Sequence, residues 1–107
     1  MSDIEQQRQA IVSAVRDAAI RCGARKAVLF GSWARRTPTA RSDVDALFVE
    51  DTSARYLDRL DKYLADLWRS LRKSCDVFVY TPEEFARMAE KPFVRRALSE
   101  GIVAYER

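Results

Sequence analysis

One stretch, KAVLFGSWARRTPTARSDVDALFV, decides the fold and occupies residues 26–49. Its first part, 26–30, is continuously apolar and predicts a strand covered on both faces. Its middle part, 31–42, is rich in Gly, Ser, Thr and Pro and predicts a loop with room for one helical turn. Its last part, 43–49, alternates and predicts a second strand, with Asp43 and Asp45 on one face and Val44, Ala46 and Phe48 on the other.

Helical and β-rich patterns flank this stretch on both sides. A helix is predicted over 3–22, with a Ser2/Glu5 capping box and Gly23 as its stop. A leucine stripe from Leu57 to Leu71 predicts a second long helix, with Trp68 in the core. The remaining elements are a strand at 75–80, a helix from the capping box at Thr81 to Pro92, a helix over 93–99 and an edge strand at 102–105. This order predicts an α/β domain.

Composition narrows the class of protein. The 107 residues fit a single domain, 48% of them are hydrophobic, and the net charge of +3 is too small to indicate nucleic-acid binding. With no histidine in the chain, His-ligated zinc and Ser-His or Cys-His catalysis are excluded. Cys22 and Cys75 fit neither a disulfide framework nor a CxxC site, so a reduced cytoplasmic setting is expected. No signal peptide or membrane-spanning segment is recognisable, which predicts a soluble protein with no membrane partner.

Acidic residues provide the first candidate chemistry. Asp43 and Asp45 project from one strand face, and such a pair indicates half of a Mg²⁺ site. Asp76 interrupts the apolar strand CDVFVY and is the third candidate ligand. The alternative interpretations are a turn or capping element for the Asp-x-Asp pair and a water-facing edge residue for Asp76.

Small and basic residues provide the second candidate chemistry. Gly31 allows close approach of the backbone to an anion, and Ser32 offers a hydroxyl and an N–H group to a phosphate. The loop that follows contains Arg35, Arg36 and Arg41 and no acid. Cationic groups beside carboxylates are what a metal–nucleotide complex requires. For any single arginine, a solvated loop position is the alternative.

The segment GSWARRTPTARSDVD resembles the signature of the DNA polymerase β-like nucleotidyltransferase superfamily: Gly-Ser, ten residues, then Asp-x-Asp, followed by a third strand bearing an acid. The likeness covers nearly the whole chain and is closest to the minimal nucleotidyltransferases. It implies an α+β nucleotidyltransferase fold, with a small mixed β-sheet flanked by helices. It also implies a site of nucleotide-binding residues (Gly31, Ser32, Arg35, Arg41 and Ser42) and of metal-binding catalytic acids (Asp43, Asp45 and Asp76).

The resemblance also implies partners. Members of the family use Mg²⁺, here expected as two ions, with ATP as substrate, and many pair with a helical HEPN-type RNase toxin that they neutralise, in some cases by transferring AMP onto a tyrosine. Larger members of the superfamily carry an added domain that holds the acceptor, and these 107 residues leave no room for one, so a macromolecular acceptor is expected over a small molecule. Two departures from the family pattern stand out: Arg36 replaces a frequent Gly, and Ala46, expected to face away from the acids, replaces a Leu.

Four points are left open by the sequence. The first is a catalytically inactive antitoxin that blocks its partner by contact alone. The second, a nucleic-acid module, is ranked last because aromatic and basic residues do not interleave on one element. The third concerns Trp33, which lies in the motif loop and is a candidate contact to nucleotide or partner. A homo-oligomer is also left open.

Overall fold

The computed structural model describes residues 3–38 and 42–107. Its elements follow the predicted order, and a short 3-10 turn precedes the second long helix. They are α1 (Asp3–Cys22), β1 (Lys26–Phe30), α2 (Gly31–Arg35), β2 (Val44–Val49), the 3-10 turn (Tyr56–Arg59), α3 (Leu60–Leu71), β3 (Cys75–Tyr80), α4 (Pro82–Met88), α5 (Pro92–Glu100) and β4 (Ile102–Glu106).

A four-stranded mixed sheet organises these elements in the order β3-β2-β1-β4. β1 pairs antiparallel with both β2 and β4, whereas β2 and β3 run parallel. The parallel pair is connected through α3, as a crossover between parallel strands requires. The predicted mixed α+β architecture is confirmed, and β4 is an edge strand as expected.

The larger core lies on one face of the sheet, under α1 and α3. Alternating strand residues, including Val44, Ala46 and Phe48, pack there against both helices. Tyr63 of α3 stacks on Phe48 with 4.2 Å between ring centroids, and its hydroxyl donates to Oε1 of the buried Glu50 at 2.5 Å. Lys62 also donates to Glu50, at 2.8 Å, so this buried carboxylate is paired. Ala46 faces this core, away from the acids, as predicted.

The smaller core lies on the opposite face, under α4 and α5. Leu47 and Val49 of β2 pack there with Val94 and Ala97 of α5. α4 begins with the predicted capping box: Thr81 Oγ1 accepts from the Glu84 amide, and Glu84 accepts from the Thr81 amide. α4 contributes no fully buried residue, so this layer is thinner than the one under α1 and α3.

The prediction for the second long helix needs two corrections. Leu57 belongs to the 3-10 turn and is 75% exposed, so the helix begins at Leu60. Trp68 is 51% exposed and not part of the core. α1 packs on the flank of α3 that carries Asp66, where Arg21 donates two hydrogen bonds of 2.8 Å to that carboxylate. Trp68 lies about 200° around the helix from Asp66 and is therefore left at the surface.

Of the two signals predicted to bound the first helix, only its stop lies within the described residues. Gly23 ends α1 with a φ of 89°, as its stop position predicts. The predicted capping residue Ser2 lies outside the described residues. Within 3–38 and 42–107, no helix is both long enough and apolar enough to cross a bilayer.

Candidate active site

Two of the three acids occupy adjacent positions on neighbouring strands. Asp45 of β2 pairs in register with Asp76 of β3, so the two carboxyl groups are neighbours on one face of the sheet. Asp43 immediately precedes β2 and is exposed. Burial and the charges of Asp76 and Asp43 together raise the pKa of Asp45 to about 6. The sheet therefore concentrates negative charge at this edge of its smaller-core face.

Gly31 is placed directly against this cluster. Its φ is 75°, in the left-handed region that favours glycine. A Cβ at this position would overlap Oδ2 of Asp45 and lie 2.9 Å from its Cγ. Gly31 thus makes room for the Asp45 carboxylate, a role additional to the phosphate contact suggested by the sequence.

A cavity of about 450 Å³ opens beside Gly31 and Asp45. Arg35, at the end of α2, lines it and donates to Oε2 of Glu100 at 3.2 Å. Glu100 also accepts from Arg96, at 3.3 Å. Two arginines of the cavity wall thus share one carboxylate, and the charge of Arg35 counteracts the rise in the pKa of Asp45.

The other predicted nucleotide-binding residues are distributed around α2. Ser32 is half-buried in the first turn of α2, and its carbonyl accepts from the amides of Arg36 and Thr37. Ser42 is half-buried just before β2, where its carbonyl accepts from Trp33 Nε1 at 3.4 Å. Arg41 lies outside the described residues.

Arg36 does not join Arg35 at the cavity. It ends α2 with a φ of 64°, the left-handed conformation that the family's usual Gly would adopt more easily. Its guanidinium points toward α1 and lies 3.8 Å from Glu5. The departure from the family pattern therefore preserves the turn, at a cost of about 1 kcal/mol in backbone strain.

Trp33 belongs to the larger core. It is 2% exposed, Lys73 lies over its ring, and its carbonyl accepts from Arg8. A side chain so buried is not available to nucleotide or partner, which removes that alternative.

Sequence reasoning missed the contribution of α5 to this cavity. Its residues 93, 96, 97 and 100 fall at i, i+3, i+4 and i+7, so one face of the helix carries Phe93, Arg96, Ala97 and Glu100 to the cavity wall. The periodicity was visible in the sequence, but it is equally typical of a helix that covers a core.

The donor set fits a magnesium ion that is completed by substrate. Asp43, Asp45 and Asp76 offer only oxygen atoms, and Mg²⁺ usually takes one or two carboxylates together with water and substrate phosphates. Within the described ranges, no three acidic or cysteine side chains form a ready-made metal cluster. The negative charge that raises the pKa of Asp45 is the charge that a cation would neutralise.

Fold and site together are a mixed sheet whose strand carboxylates lie against a glycine turn, with an arginine lining the same cavity. The model of the nucleotidyltransferase domain family matches residues 12–104, and the chain belongs to that family. A search of curated proteins found no match to this chain.

Two solved structures share the fold. One is a proposed nucleotidyltransferase from Sulfolobus solfataricus, with 18% identity over 100% of this chain and 90% of the other and a TM-score of 0.63. The second is a toxin–antitoxin structure with AMP-PNP, with 16% identity over 85% of this chain and 73% of the other, again at a TM-score of 0.63. At these identities the likeness concerns the fold.

Proposed function

We propose that this protein transfers AMP from ATP to a hydroxyl group of a macromolecular acceptor, and that it acts as the antitoxin of a HEPN-type RNase toxin. The observation that carries the proposal is the Asp45–Asp76 pair, held in register on adjacent strands with Gly31 packed against it and Arg35 lining the same cavity. Membership of the nucleotidyltransferase domain family supports the reaction class.

The proposed reaction is an in-line displacement at the α-phosphorus. The acceptor hydroxyl gives its proton to the carboxylate of Asp76, and its oxygen forms a new bond to the α-phosphorus. The bond from that phosphorus to the α,β-bridging oxygen breaks, and pyrophosphate leaves with the electron pair. Asp76 suits the role of base because it is exposed and lies beside Asp45.

The remaining residues hold the reactants. Asp43, Asp45 and Asp76 are the residues that would bind Mg²⁺, which when bound neutralises charge on the phosphates and stabilises the attacking and leaving oxygens. Gly31, Ser32 and Ser42 would contact the triphosphate, and Arg35 would exchange its contact with Glu100 for phosphate oxygens. Arg41 would also contact the triphosphate, an assignment that rests on its position in the motif.

Support for the antitoxin role comes from the toxin–antitoxin structure with AMP-PNP that shares the fold. A protein acceptor would present its hydroxyl, most simply that of a tyrosine, at the open side of the cavity. The reaction would take place in the cytoplasm, where ATP and Mg²⁺ are available.

The test is a transfer assay with α-labelled ATP, Mg²⁺ and the product of the neighbouring gene. Wild-type protein should label its partner, and Asp45→Asn should reduce the rate at least about 100-fold, because it removes one metal-binding carboxylate. Asp61→Asn, an exposed acid on α3 away from the site, is the matched control and should label normally. Repeated absence of label with the wild-type protein would refute AMP transfer.

The same variants separate catalysis from contact. If the protein neutralises its partner by modification, the Asp43→Asn/Asp45→Asn double variant should bind the partner and fail to neutralise it. Neutralisation by the double variant would instead establish the contact-only antitoxin.

A further inference from the structure

Three phenylalanines form a cluster beside the acids. The rings of Phe30 and Phe93 meet edge to face at 5.7 Å between centroids, those of Phe78 and Phe93 are 5.0 Å apart, and those of Phe30 and Phe78 are 6.0 Å apart. Phe30 pairs across the sheet with Asp45, and Phe78 lies two residues beyond Asp76 on the same strand face. The cluster is therefore anchored on β1 and β3, the two strands that flank β2 and its Asp45.

Exposure is divided unequally within the cluster. Phe30 is 9% exposed, whereas Phe93 is 46% exposed and lines the cavity that contains Gly31, Arg35 and Asp45. Leaving so much of an aromatic ring in water forgoes the free energy of its burial. The rings of Phe30 and Phe78 contact Phe93, and the side of Phe93 that they leave uncovered presents an apolar surface to the cavity.

The cavity wall is charged in one part and apolar in the other. The charged residues of the wall are Asp45, Arg35, Arg96 and Glu100, together with Gly31. Phe93 is flanked by Pro92 and Ala97, which supply no side-chain hydrogen-bonding group. The volume of about 450 Å³ is within the range of small-molecule sites. A nucleoside triphosphate has the matching asymmetry, with a polyanion at one end and a flat aromatic ring at the other.

We propose that Phe93 is the platform on which the nucleobase stacks. This inference rests on the proposed function, because it takes the triphosphate to lie at Gly31 and Arg35. Stacking on a phenyl ring is tolerant of base identity and increases with the area of the base. The site therefore favours purine over pyrimidine nucleotides.

The test measures equilibrium binding of AMP-PNP and of tripolyphosphate, each with Mg²⁺, by calorimetry. Phe93→Ala should weaken AMP-PNP binding about tenfold, since base–aromatic stacking is worth roughly 1–3 kcal/mol. Tripolyphosphate has no base, so its affinity should not change. Phe93→Trp should bind AMP-PNP at least as tightly as wild type, and the analogous CTP compound should bind wild type more weakly than AMP-PNP.

Two further variants separate stacking from folding. Phe93→Leu keeps apolar bulk against Phe30 and Phe78 but lacks a flat ring, so it should show the loss seen for Phe93→Ala with an unfolding temperature near that of wild type. Trp68→Ala removes a similarly exposed aromatic from α3 and should leave AMP-PNP binding unchanged.

Each contrary result identifies what has failed. Unchanged AMP-PNP affinity in Phe93→Ala would overturn the proposal that the base stacks on Phe93. It would not contradict AMP transfer, and it would indicate that Phe93 contacts a side chain of the partner. Equal loss of AMP-PNP and tripolyphosphate binding also overturns it, because the change then acts on the phosphate region. Failure of the wild-type protein to bind AMP-PNP at all overturns the proposed function and the platform together.

Discussion

Gly31 combines two constraints that no other residue type meets. Its φ of 75° would cost another residue about 1 kcal/mol or more, and a Cβ would overlap the Asp45 carboxylate. Gly23 shares only the first constraint, because its φ is 89° and nothing lies within 4 Å of the Cβ it would carry. Comparing alanine variants of Gly31 and Gly23 therefore isolates the energetic effect of the close contact with Asp45.

Gly23→Ala should therefore lower the free energy of unfolding by about 1 kcal/mol, and Gly31→Ala by about 3 kcal/mol, because overpacking adds to the backbone strain. Urea denaturation of both variants measures the difference. The displaced Asp45 should also make Gly31→Ala inactive in AMP transfer, while Gly23→Ala keeps its activity. Equal destabilisation of the two variants would show that Asp45 moves aside at no cost.

At the scale of elements, Arg59 connects three segments. It is buried, and it donates to Ala54 O at 2.8 Å, to Val79 O at 3.2 Å and to both carboxylate oxygens of Glu84 at 2.6 and 3.2 Å. These contacts connect the 3-10 turn with β3 and α4. The guanidinium and the Thr81 amide lower the pKa of Glu84 to about 2.

Glu84→Gln should destabilise the protein by about 2 kcal/mol at pH 7, since it leaves the Arg59 cation without its carboxylate. A carboxyl whose pKa is depressed on folding contributes stability above its unfolded pKa and loses it as pH falls toward the folded value. The difference between wild type and Glu84→Gln should therefore shrink between pH 4.5 and pH 2, the interval between the two pKa values. Urea denaturation across that range measures it.

Glu83→Gln is the control, because Glu83 is an exposed neighbour in the same helical turn. It should match wild type at every pH. A Glu84→Gln deficit that stays constant down to pH 2 would contradict the ion-pair explanation.

Features of the fold that depend on residues close together in the sequence were predicted correctly, whereas those that depend on long-range packing were not. The capping box at Thr81, the stop at Gly23 and the alternation around Asp45 depend on neighbouring residues, and the structure has all three. Trp68 was misplaced because hydrophobic periodicity does not show which flank of α3 another helix will cover. That flank is where α1 packs, and the pair across it, Arg21 and Asp66, joins residues 45 apart in the sequence.

The candidate site also has parts that the sequence could predict and parts that depend on tertiary packing. The register of Asp45 with Asp76 could be expected only if β2 and β3 were assumed to be neighbours, and the structure has that pairing. The role of α5 could not be predicted, because residues 96 and 100 meet the cavity only through the packing of α5 on the sheet. The motif arginines looked equivalent in sequence, but the left-handed turn at Arg36 directs it to α1 while Arg35 faces Glu100.

At the scale of the whole molecule, the two faces of the sheet differ in the strength of their cover. α1 and α3 bury many side chains on one face, including five from α1. On the other face α4 buries none fully and α5 buries only Val94 and Ala97. Local opening is easiest where few apolar contacts must be broken. Opening of α4 and α5 therefore requires less free energy than opening of the α1/α3 layer.

Amide hydrogen exchange should reveal this asymmetry and its link to the cavity. In the free protein, amides of α4 and α5 should exchange well before those of β1 and β2. Because α5 forms one wall of the cavity, AMP-PNP with Mg²⁺ should slow exchange in α5 and α2, and should leave the surface flank of α3 around Trp68 unchanged. Protection of that flank of α3 without protection of α5 would locate the nucleotide elsewhere, on the opposite face of the sheet from the acids.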